Sequence, residues 1–144
     1  MYSNGLRSYL ETDVITADPK KLVLMCYEGA IENLKIAKVR YDEEDYEGKC
    51  KAIIKAQDII NELLCSLDLE KGGSIAGNLK SLYSYMLGEI LHADINRDFH
   101  AIEGIIGMLE GLKSAWEEAF YGREKTISAG NERFDAIRVM AQTG

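Results

Sequence analysis

The chain has 144 residues, the size of a single domain, and a domain of that length hides roughly 68–70% of the surface its unfolded chain would show, so one core suffices. A composition of 47% hydrophobic and 28% charged residues excludes disorder through the body of the chain, and a net charge of −7 disfavours nucleic acid and anionic lipid as the main partner. No apolar run is long enough to span a bilayer, and the N-terminus lacks the basic-then-apolar layout of a signal peptide, so the expected location is cytoplasmic.

Residues 1–17 form an arm carrying Tyr2, Leu6, Tyr9, Leu10, Val14 and Ile15 ahead of any helix-start signal. The first such signal is Asp18-Pro19. Asp can accept from orphan amides, Pro suits the first helical position, and the residue before Pro is pushed out of α space as a cap should be. A first helix is therefore predicted from Pro19 to Tyr41. The acidic stretch 42–45 closes it and supplies the cap of a second helix over 46–67. Lys71-Gly72-Gly73-Ser74 reads as a turn ending in a cap, which starts a third helix over 74–93. Asn96-Arg97-Asp98 does the same for a fourth over 98–121. Connections this short place successive helices antiparallel, so the predicted fold is all-α, an up-down four-helix bundle over 18–121. Residues 122–144 have a linker-like texture, with Phe134, Ile137, Val139 and Met140 spaced for one short extra helix. Cys26, Cys50 and Cys65 each lie inside a helical pattern, none in a CxxC pair, and are expected to be small buried thiols in a reducing compartment.

The apolar faces are wide. At 100° per residue, the set from Cys50 to Leu67 on helix 2 and the set from Ile75 to Leu91 on helix 3 each cover an arc of about 240°, against the ~100° or more of an ordinary surface helix. Tight packing between neighbours could consume that width, or it could form an exposed groove for a partner helix. Met25, Ile53, Ile60, Leu63, Tyr83 and Met86 are the expected groove contacts, the thioethers and amphipathic rings suiting an adaptable surface. On helix 4, Gly104, Gly107 and Gly111 fall within about 60° of one another, marking either the close approach of another backbone or a tolerant solvent face.

Catalytic signatures are absent from the sequence. Glu89 and His92 make a single Glu-x-x-His, whereas a di-iron bundle carries two; the other histidine, His100, has Arg97 three residues before it. No P-loop, nucleophile elbow or Cys/His cluster occurs, so no catalytic residue, metal or cofactor is expected.

Several stretches together resemble one family. They are Met1-Tyr2 with Leu6 and Tyr9, "TADPKKLVLMCYEGA" opening helix 1, "KAQDIINELLCSLDLEKGGSIAGNLKSLYSYM" across helices 2 and 3, and "SAW" near the end of helix 4. This pattern is similar to that of the flagellar secretion chaperone family, FliS, over residues 1 to about 120. Three differences are mild: the arm is shorter between Tyr9 and Thr16, Asp18 replaces a usual Ser, and Cys26 replaces a usual Leu. The resemblance implies a non-enzymatic export chaperone whose bundle binds the disordered carboxy-terminal region of flagellin. It would prevent premature polymerisation and deliver the client to the export gate of the flagellar type III secretion apparatus. It also implies that Leu6 and Tyr9 on the arm contact the membrane export-gate protein, and that the arm can lie over the client groove. The alternative is a self-associating helical bundle with no export role.

Overall fold

The structure, a computed structural model, describes residues 19–122. Asp18, the arm with Leu6 and Tyr9, and the C-terminal stretch with Phe134, Ile137, Val139 and Met140 lie outside the described residues.

Short acidic side chains set the helix starts. Helix α1 spans Pro19–Asp42, with the proline as its first residue. Asp45 caps α2, Tyr46–Cys65, its carboxylate accepting from the Gly48 N–H at 3.0 Å. Asp98 caps α4, Phe99–Tyr121, in the same way through Ala101. Each of these caps satisfies a donor that the first helical turn leaves without an intrahelical partner.

Helix α3, Leu69–Asn96, is two helical stretches joined across a kink. The second starts at Ser74, where the sequence reading places the third helix, and a further stretch from Leu69 precedes it because Asp68 accepts from the N–H groups of Glu70 and Lys71 ahead of the glycines. The expected turn survives as a kink inside the element, where Gly73 takes φ 59° and ψ −138°. Helix α3 also continues three residues past Ala93 and ends at Arg97, whose left-handed backbone (φ 56°, ψ 36°) lets its N–H bond back into the last turn. Helix α2 stops two residues early, because Ser66 closes it as the C-cap.

Each helix packs on its chain neighbours, and α1 also packs on α4, closing a four-membered ring. All four are helical and no strand occurs among the described residues, so the chain is an antiparallel four-helix bundle. Charges set the register of two seams. Lys35–Glu110 (3.5 Å), Lys113–Glu28 (3.3 Å) and Lys38–Glu103 tie α1 to α4, and Lys49–Asp94 (2.7 Å) ties α2 to α3. Between α3 and α4 no ion pair forms among the described residues; that seam is apolar, lined by Ile75, Leu79, Leu82, Leu112 and Trp116.

The core is continuous from end to end. Tyr41 stacks on Phe99 at 4.2 Å near the α1–α2 turn, and Trp116 and Phe120 pack at 5.1 Å at the other end. There Lys20 lies 6.0 Å over the Phe120 ring, so the start of α1 and the end of α4 share one end of the bundle. The outer stripe of Gly104, Gly107 and Gly111 is exposed, and a Cβ on any of them would meet nothing within 4 Å. The solvent-face reading therefore holds and close backbone approach does not.

Candidate functional site

Three polar aromatics meet inside the bundle. Tyr27 of α1, Tyr83 of α3 and Trp116 of α4 project inward at one level, with exposures of 0%, 1% and 5%. The indole Nε1–H donates to the Tyr27 hydroxyl at 2.9 Å, and the Tyr27 and Tyr83 hydroxyls hydrogen-bond each other. These bonds link α1 to α3 across the bundle, a diagonal that the helix backbones themselves do not bridge. Burial pushes the Tyr27 hydroxyl up to about 12, opposed in part by its bonds to Tyr83 and Trp116. Burial and then the neighbouring Tyr27 raise Tyr83 well above the ordinary phenol range. Both are neutral at physiological pH, so the triad is a structural lock with no proton to exchange. Its satisfaction is complete: no buried side-chain nitrogen or oxygen among the described residues lacks a partner. The sequence reading missed this bond; the signal was a lone tryptophan, whose N–H needs an acceptor when buried.

All six expected groove residues are buried. Ile53, Ile60, Leu63, Tyr83 and Met86 belong to the central cluster, with exposures between 0% and 6%, and Met25 is buried outside that cluster. These side chains pack inside the bundle in this conformation. The surplus apolar width nevertheless exists at neighbouring positions. On α2, Tyr46 and Ile54 are more than half exposed, and on α3 so are Tyr85, Leu91 and Ile95, the last at 71%.

The Lys49–Asp94 ion pair fixes the antiparallel level of α2 against α3, so Ile54 lies beside the turn holding Glu89 to Leu91. Ile54, Leu91 and Ile95 thus share the outer aspect of the α2–α3 pair, beside half-buried Leu87, which packs against the core. Exposed apolar side chains clustered on paired helices are the signature of a protein-binding face.

The thiols depart from expectation. Cys26 is buried, and burial followed by the nearby Glu62 charge raises it to about 11, so it is an inert thiol at neutral pH. Cys50 and Cys65, expected buried, are exposed because they lie on the solvent side of α2. His92 is exposed and Glu89 half-buried on α3. Among the described residues no three His, Cys, Asp or Glu side chains gather where a metal could be held, and no helix is long and apolar enough to cross a membrane.

A four-helix bundle with a satisfied core and a surplus of exposed apolar side chains has the surface chemistry of a helical protein that meets partners. Sequence comparison is specific about the family. The family model described as flagellar protein FliS matches residues 2–123. A flagellar secretion chaperone FliS from Salmonella typhimurium is 38% identical over 124 residues, covering 82% of this chain and 92% of the relative. The protein of the same name from Bacillus subtilis is 29% identical over 85% of this chain and 90% of its own length. The FliSB chaperone of Pseudomonas aeruginosa is 33% identical over 75% and 86%. The chain belongs to the FliS family of flagellar secretion chaperones.

Proposed function

We propose that this chain is a cytoplasmic, non-enzymatic chaperone that captures the disordered carboxy-terminal region of flagellin on the outer face of α2 and α3. Held there, flagellin stays soluble and cannot polymerise early, and the complex is delivered to the membrane export-gate protein. The observation that carries the reading is the exposure of Ile54, Leu91 and Ile95 on a bundle whose core is already complete. An apolar surface left over after folding gains free energy only by meeting a partner, and a disordered segment can meet it by folding into helices along it. Membership of the family supports flagellar export as the setting.

The test is calorimetric titration of the chain with the carboxy-terminal segment of flagellin at several temperatures, with helical CD followed in parallel. One-to-one binding with a negative heat-capacity change and a gain of helix is the expected result. Absence of heat and of helix gain would overturn the reading. On the same proposal Leu6 and Tyr9 serve the delivery step. Replacing both with Ala should leave flagellin binding unchanged and abolish retention of the export-gate protein in a pull-down.

A further inference from the structure

The α3–α4 seam differs from the two charged seams in its chemistry and its position. It holds an open groove of about 300 Å³ lined by Ile75, Asn78, Leu79, Leu82, Leu112, Ala115 and Trp116. A larger groove of about 680 Å³ runs between α1 and α4, but its rim is Glu28, Lys35, Arg40, Glu110 and Lys113, charges already engaged in ion pairs. An apolar segment gains more from the α3–α4 groove, where covering the wall removes apolar surface from water without desolvating charge.

The position of this groove indicates what covers it. Trp116 precedes Gly122, the last described residue, by six residues, so at 1.5 Å per residue the groove begins about 9 Å from the end of the described chain. Phe134 follows Gly122 by twelve residues, a stretch that can reach up to about 40 Å and so spans this distance with slack. Phe134, Ile137 and Ala141 fall within about 60° of one another at helical spacing, an apolar stripe of the kind that lies in such a groove. Residues 123–144 carry four basic and three acidic side chains, a net +1 within a chain of net −7, so they are opposite in charge to the rest. The stretch matched by the family model ends at residue 123, just where this segment starts.

We propose that the segment around Phe134 and Ile137 docks into the α3–α4 groove against Trp116, so that the chain covers its own apolar seam. This assignment is independent of flagellin capture. Trp116 is the single tryptophan of the chain and lines the groove, so its fluorescence reports on the site directly. The experiment compares acrylamide quenching of Trp116 in the full-length chain with that in the full-length Phe134→Asp/Ile137→Asp variant. Leu6→Asp/Tyr9→Asp serves as the arm control, and far-UV CD monitors the fold. Because Trp116 is itself nearly buried, the tail variant should raise the quenching constant beyond measurement error without shifting the emission maximum and at unchanged helicity, and the conservative pair Phe134→Leu/Ile137→Val should keep the protected signal. Unchanged quenching in the aspartate tail variant overturns the proposal. If the arm variant alone raises quenching, the occupant is the arm, and that also overturns it.

Discussion

At Tyr27 one oxygen accepts the Trp116 indole proton and bonds the Tyr83 hydroxyl, inside a core with almost no exposure. Tyr27→Phe keeps the ring but leaves the indole N–H and a phenol without partners, which should cost about 1–3 kcal/mol in urea unfolding. A loss below the measurement error would mean that water replaces the hydroxyl. The same burial sets a pH dependence. Cys26 is raised from 9.0 to about 11, Tyr27 from 10.0 to about 12, and Tyr83 is raised in the same direction. The folded chain therefore keeps protons that the unfolded chain releases, and stability present at neutral pH is lost as pH rises through the window from 9 to about 12. Urea midpoints should fall between about pH 7 and about pH 10.5, and a flat profile would contradict the burial of these groups. Residue-level orientation is where sequence reading ends. Ile53 and Ile54 are chemically identical neighbours, yet one is 3% exposed and the other 54%. Both lie on the wide apolar arc, and only the direction of the adjoining helices decides which points inward.

The elements were the most legible level. Pro19, Asp45 and Asp98 set three helix starts by local chemistry that needs no tertiary context. The start of α3 was less legible because two signals compete there. Asp68 caps a short helical stretch, and Gly73 then breaks it five residues later, so the Gly-Gly pair marks the beginning of the longer stretch from Ser74 but not of the whole element. The end of α3 was hidden because Arg97 occupies a left-handed C-cap position that usually holds glycine. These backbones make two predictions of opposite sign. Gly73→Ala, at φ 59°, should cost about 1–3 kcal/mol by backbone strain although no neighbour would clash with the added methyl. Gly104→Ala, Gly107→Ala and Gly111→Ala have helical backbones and open space, so each should stabilise by about 0.5–1 kcal/mol. Thermal unfolding of the triple variant checks this; a lowered midpoint would show that something packs on the stripe.

Across the whole molecule, the ion-paired α1–α4 and α2–α3 seams and the aromatic diagonal complete the bundle, and Ile54, Leu91 and Ile95 remain outside it. The family was legible from motifs spread along the chain, from the Pro-started first helix to the Leu82-Tyr83-Ser84-Tyr85-Met86 segment, and the family model matches residues 2–123. The proposed binding face was legible only as excess width: size does not sort core from surface, since Tyr83 is 1% exposed and Tyr85, two residues on, 55%. The division between core and face is also what a paired substitution separates, since Ile60→Asp places a charge in the core and should unfold the chain, whereas Ile54→Asp should not. The central claim, capture on the outer α2–α3 face, is tested most directly by titrating the Ile54→Asp/Leu91→Asp variant with the flagellin carboxy-terminal segment beside the unmodified chain. The account predicts unchanged helical CD and urea midpoint with affinity reduced by about a hundredfold or more, as for the loss of two apolar anchors; affinity equal to that of the unmodified chain would contradict it.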